Sequence, residues 1–107
     1  MIVSGGENVY SIEPERALFL HPAVREVAVI GIPSEQWGEA VHAVVVLKEG
    51  AKATADDLIA HCRTPIGGYK CPRSIEFRAG PLPVTPVGKV RKNVLRDPYW
   101  VGQATKI

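Results

Sequence analysis

Leu82-Pro83-Val84-Thr85-Pro86-Val87-Gly88-Lys89-Val90-Arg91-Lys92 is the segment most able to do chemistry. It sets one lysine behind a glycine, on a loop stiffened by two prolines, just ahead of a basic run. Proline fixes φ and glycine permits close backbone approach. A lysine presented this way can enter another molecule's site as a point charge for phosphate or carboxylate. The segment is not a P-loop: Pro83 stands where the first glycine should be and Val90 where the Ser or Thr should be. Taken alone, it is equally compatible with an ordinary loop tip carrying a solvated lysine.

A second candidate is Ser4-Gly5-Gly6-Glu7-Asn8. Consecutive glycines let a backbone lie against a ligand, and their N–H groups can form an anion nest. A plain hairpin turn is the competing reading. The histidines, His21, His42 and His61, have no serine or cysteine at a spacing that suggests a nucleophile and its base, and they read as structural or surface residues. Asp56 and Asp57 read as N-terminal helix charges. Cys62 and Cys71 are too few for a zinc site or disulfide framework, so no metal site is expected and the thiols read as reduced.

Charge is distributed unevenly. Residues 1–69 carry five Lys/Arg against nine Asp/Glu, whereas residues 70–107 carry eight against two. The basic C-terminal third suggests an anionic partner there, with a simply soluble basic surface as the alternative. Tyr69, Phe77, Tyr99 and Trp100 do not interleave with the basic residues as a stacking platform would, so nucleic acid is not expected. A phosphorylated ligand or an acidic partner domain fits. No apolar run approaches the roughly 18–20 residues of a membrane span. Nor is there a basic segment leading into an apolar stretch at the start, and the expected location is cytoplasmic.

These residues must be positioned by a single domain, since 107 residues suffice for one modest core. Ile2-Val3 and Val9-Tyr10 around the glycines predict a short hairpin. Ser11 is placed to cap a helix over about 11–20, which His21-Pro22 stops. Val24–Ile32 and Ala40–Leu47 predict two long antiparallel strands joined by a loop over Pro33–Glu39. Thr54 caps a helix over Ala55–Arg63, ended by Pro65 and Gly67-Gly68. Ser74–Arg78 alternates as a strand with Ile75 and Phe77 facing the core, and Val90, Val94 and Leu95 predict a last helix over about 89–96, ended by Pro98. The predicted fold is α+β: a small antiparallel sheet of about three strands with helices packed on it, plus the N-terminal hairpin. The domain is expected over 1–98, with 99–107 a loosely held tail.

Several of these motifs, in order and spacing, resemble the C-terminal (lid) domain of the acyl-CoA synthetases, which are adenylate-forming enzymes. Met1-Ile2-Val3-Ser4-Gly5-Gly6-Glu7-Asn8-Val9-Tyr10 is similar to that family's glycine-rich loop. Gly31-Ile32-Pro33 with Trp37-Gly38-Glu39 resembles its strand-end motif, Tyr69-Lys70-Cys71-Pro72 its Tyr/Phe-Lys-x-Pro element, and Pro83 to Lys89 its terminal signature. Leu95 to Trp100 fits members with a short tail. The likeness covers nearly the whole chain. Pro14, Ser34 and Val87 depart mildly from the family pattern.

The resemblance implies an acid–CoA ligase, in which a carboxylate and ATP give acyl-adenylate and pyrophosphate, and the acyl group then passes to coenzyme A. It implies Lys89 as the adenylation lysine, with Gly88 and Thr85 setting its loop geometry. It implies Gly5, Gly6, Glu7 and Asn8 along the coenzyme A channel, with Lys70, and more weakly Arg73, on the coenzyme A phosphates. The ATP-phosphate loop, the acyl pocket and the residues for Mg2+ would lie in a large N-terminal domain, the expected partner, and this chain alone would bind no cofactor and be inactive. The alternative is a free-standing interaction module that binds a phosphorylated ligand or acidic partner through the basic C-terminal third.

Overall fold

The structure, a computed structural model, describes residues 2–4, 6–36, 38–66 and 70–100, with the backbone alone at 7 and 64–66. Ile2–Ser4 (β1) and Glu7–Val9 (β2) form an antiparallel hairpin in which Ile2 faces Val9 and Ser4 faces Glu7. Ile2 and Val9 are buried while Val3 is exposed, the alternation of a half-buried strand. The expected hairpin is therefore present, and β1 also joins the main sheet through Ser4 and Gly38.

Ile12–Phe19 forms α1 and buries Pro14, Ala17 and Leu18. Pro14 sits in the first turn, where its missing N–H costs no helical bond. Ser11 does not cap with its side chain: its backbone is already helical, at φ −57° and ψ −26°, and its Oγ accepts instead from Lys92 Nζ at 2.9 Å. A tertiary partner has outcompeted the local one.

Val24–Ser34 (β3) and Gly38–Leu47 (β4) pair antiparallel from Val24–Leu47 to Ser34–Gly38. Both strands run beyond their predicted ends, and Gly38, at φ +80°, supports the tight return. Pro33 is tolerated because β3 is an outer strand. Val29 N–H and Gly31 C=O point to its free side, and Pro33, two residues on, places its missing N–H there too. That free side is covered by side chains: Glu15 Oε2 accepts from Val29 N–H at 2.8 Å, and Trp100 Nε1–H donates to Gly31 C=O at 3.0 Å.

Ala55–Ile66 (α2) starts at the predicted Thr54 cap, which Asp57 completes as a capping box: Asp57 N–H donates to Thr54 Oγ1 and Thr54 N–H to Asp57 Oδ2, both at 3.1 Å. These bonds hold the exposed Asp57 carboxyl below its ordinary value. The α2 backbone stays helical three residues past the predicted Arg63, so Pro65 does not stop it as expected; Gly67 and Gly68, the other expected stops, lie outside the described residues. Ser74–Phe77 (β5) pairs with β4 in parallel, His42 beside Ser74 and Val45 beside Phe77. The link through α2 is a crossover, which returns the chain in the same direction. The fold class is the predicted α+β, with five strands because the hairpin joins the sheet, and with one parallel pair among antiparallel ones.

Lys92–Trp100 forms α3. It starts later than predicted, because Val90 instead bridges Val84 in a hairpin, and it passes through Pro98. The last turn survives the lost helical bond because Tyr99 and Trp100 are hydrogen-bonded to the sheet. Those two residues are thus helical, whereas 101–107 lie outside the described residues.

Both sheet faces are covered. Leu18 of α1 and Leu58 and Cys62 of α2 pack with Val29, Val41 and Val45 on one face. Leu95 of α3 and Leu82 pack with Ala28, Ile30, Val44 and Val46 on the other. Of the two residues of β5 expected to face the core, Ile75 is half-buried and packs against the first cluster, whereas Phe77, at the end of an outer strand, is 42% exposed. Among the described residues no helix is long and apolar enough to cross a membrane.

Candidate functional site

Lys89 stands on a tight hairpin. Gly88 N–H donates to Thr85 C=O at 2.8 Å, closing a turn with Pro86 at its second position. Thr85 N–H donates to Lys89 C=O at 2.7 Å, and Lys89 N–H donates to Thr85 Oγ1 at 3.2 Å. Gly88 adopts φ +87°, a conformation that a side chain disfavours. The tip is bare: Val87 is 82% exposed, and the exposed Lys89 ammonium enters none of the ion pairs among the described residues.

Below the tip the hairpin is rooted at both legs. Leu82 is buried, and its N–H donates to Glu26 Oε1 of β3 at 3.1 Å. Arg91 N–H donates to Pro83 C=O at 2.8 Å. Lys92 Nζ lies 2.6 Å from Glu15 Oε2 of α1. Sequence reasoning missed Glu15 and Lys92, because an acid in a first helical turn reads as a dipole complement and its remote partner leaves no local signal.

The residues around Lys70 lie on the opposite face of the sheet. Cys71 packs into the α1/α2 side, whereas Leu82 and Val90 of the hairpin pack on the α3 side. Lys70 Nζ donates to Glu13 Oε1 at 2.8 Å. Arg73 is exposed, its N–H is bonded to Val41 C=O at 2.8 Å, and it lines a small cavity of about 270 Å³ with Arg63 and Cys71. Of the glycine-rich loop, Gly6 has φ +84° with nothing among the described residues within 4 Å of where a Cβ would project, and Asn8 is exposed. Gly5 and the Glu7 side chain lie outside the described residues. The structure therefore does not gather Lys89 and Lys70 into one site; it presents them on different faces.

His42 and Cys62 serve the fold. Burial pulls His42 below the ordinary imidazole value, with Glu76 pulling the other way. Burial pushes the Cys62 thiol up to about 12, with the neighbouring Cys71 adding to it, so Cys62 is no nucleophile. Among the described residues no group of three or more His, Cys, Asp or Glu could hold a metal ion.

The sequence pattern of the "AMP-binding enzyme C-terminal domain" matches residues 13–89. The chain belongs to this family. This AMP-binding enzyme C-terminal domain is 47% identical over 96 residues to a feruloyl-CoA synthase of Amycolatopsis, covering 90% of the chain and 19% of that relative. Its fold superimposes on an acyl-CoA synthetase of Brucella canis with a TM-score of 0.88 at 38% identity, covering 95% of this chain and 19% of that one. The amide bond synthetase McbA of Marinactinospora thermotolerans gives 0.85 at 41% identity, covering 92% of this chain and 20% of that one. The chain thus spans about a fifth of the length of these relatives.

Proposed function

We propose that this domain is the mobile lid of an ATP-dependent acid–CoA ligase and that it serves two half-reactions from two faces. The observation that carries this reading is the separation of the bare Lys89 hairpin from the Lys70–Arg73 segment, on opposite sides of one sheet. In the first step a substrate carboxylate attacks the α-phosphate of ATP, giving acyl-adenylate and releasing pyrophosphate. Lys89 places its ammonium between carboxylate and α-phosphate and stabilises the charge that develops there. Exposed Ile12 and Phe19 of α1, with Leu20 just after it, lie next to the hairpin root and offer apolar surface for a large N-terminal domain to close on. Mg2+ is held by that domain and the nucleotide.

In the second step the lid turns as a rigid body. Lys89 leaves the site, Gly5, Gly6, Glu7 and Asn8 line the path of the pantetheine arm, and Lys70 and Arg73 meet the coenzyme A phosphates. The coenzyme A thiol attacks the acyl carbon, and AMP leaves. The reaction is cytoplasmic, and the chain by itself is inactive. The test is Lys89→Ala in the full-length enzyme, with each half-reaction assayed separately. Adenylation should fall by about 2–4 kcal/mol in barrier, the scale of one preorganised electrostatic group. Thioester formation from supplied acyl-adenylate should persist. Equal loss in both steps would refute the two-face reading.

A further inference from the structure

We propose that Lys92 is a positioning residue, whose ammonium locks the root of the Lys89 hairpin to α1 through Glu15 and Ser11. This rests on the reading of Lys89 as the adenylation lysine. Lys92 opens α3 and lies three residues after Lys89. Its Nζ is 2.6 Å from Glu15 Oε2 and donates to Ser11 Oγ at 2.9 Å. Glu15 is itself fixed, since the same Oε2 accepts Val29 N–H from the free side of β3 at 2.8 Å. One carboxylate oxygen therefore joins the sheet, α1 and the first turn of α3.

The arrangement has a counterpart on the other leg. Glu26 of β3 receives Leu82 N–H at 3.1 Å, so each leg of the hairpin is tethered by one glutamate of the body of the domain. Between these tethers the tip reaches solvent with its lysine unpaired among the described residues. An ammonium that must meet a transition state needs a fixed base, because small misplacements at a reacting centre are costly in rate. The Lys92 and Glu15 side chains are 36% and 22% exposed, so the pair adds little to global stability. Its effect is on where the hairpin stands.

The test compares Lys92→Met, which keeps the stem and removes the charge, with Lys92→Arg, which keeps the charge. In the 107-residue chain, amide hydrogen exchange is read at Gly88, Lys89 and Arg91, and at Val44 and Val45 as core reporters. Lys92→Met should speed exchange at the three hairpin amides by about fivefold or more and leave the core amides unchanged. Lys92→Arg should restore protection. In the full-length ligase, Lys92→Met should lower kcat for adenylation about tenfold at unchanged KM for ATP, again with rescue by arginine. Unchanged hairpin exchange overturns the proposal, as does an equal rise at hairpin and core. Lys89→Ala separates this proposal from the reading beneath it. If adenylation is indifferent to Lys89→Ala, the functional reading fails first, and the exchange data still decide whether Lys92 orders the hairpin.

Discussion

His42 Nε2 and the Tyr99 hydroxyl lie 3.0 Å apart, joining the middle of β4 to the last turn of α3. The donors can be counted. Tyr99 O–H donates to Glu76 Oε1 at 2.7 Å, so its oxygen accepts from His42 Nε2–H, and His42 Nδ1 accepts from Ser74 O–H at 2.6 Å. Burial, together with the Glu76 carboxylate, pushes Tyr99 up to about 12, which keeps it a donor. Tyr99→Phe removes the link and leaves His42 and Glu76 each short of a partner. The expected loss is on the order of 1–3 kcal/mol. At about 4–8 °C per kcal/mol for a domain of this size, calorimetry would register it plainly. An unchanged Tm would mean that this bond does not hold the end of α3.

The same chain of bonds predicts a pH dependence. His42 is held below its unfolded value of about 6.5 by burial, against the pull of Glu76, and the groups facing it are Ser74, Glu76 and Tyr99. Below about pH 6.5 the unfolded chain takes up a proton that the folded chain refuses. Stability from this group is therefore complete above that pH and declines as pH falls toward the lowered folded value. Tm should drop between pH 7.5 and 5.5, and His42→Gln should flatten the drop. An equal drop in both proteins would remove His42 as its cause.

Lys70 and Glu13 form a part-exposed pair, so little stability depends on it. Glu13→Gln should cost at most about 1 kcal/mol, a Tm shift of no more than about 4–8 °C. If Lys70 meets a coenzyme A phosphate, Lys70→Ala should raise KM for coenzyme A by about tenfold or more, the worth of one charge-assisted hydrogen bond. Glu13→Gln, which removes the competing carboxylate, should lower it. Adenylation rates serve as the control. A KM indifferent to Lys70→Ala would withdraw this residue from the coenzyme A path.

Gly6 allows strain and obstruction to be separated. At φ +84°, both Gly6→Ala and Gly6→Leu carry the backbone cost of about 1 kcal/mol, and among the described residues neither Cβ meets a neighbour. Only leucine fills the space in front of the loop. Thioester formation should therefore fall much further in Gly6→Leu than in Gly6→Ala, at matched Tm and with adenylation intact. Equal rates in the two variants would leave this loop a plain turn.

Local chemistry made much of the domain readable in advance. The Thr54 cap, the Gly-Gly hairpin, the two β-branched strands and the Pro-Thr-Pro-Gly-Lys loop each arise from residues a few positions apart, where propensity and turn geometry act. The bareness of Lys89 follows from the same loop chemistry. What only the tertiary structure decided involves partners distant in the chain. β5 runs parallel because α2 carries the chain across the sheet. Ser11 abandons its cap for Lys92, and α3 continues through Pro98 because Tyr99 and Trp100 find His42, Glu76 and Gly31. Glu13–Lys70 and Glu15–Lys92 span 57 and 77 positions. Such pairs form only after the core has fixed α1 against the sheet, since loop-closure entropy opposes them until packing has been achieved. The sequence by itself therefore determined which elements form and which lysine is displayed; packing decided what holds that lysine in place.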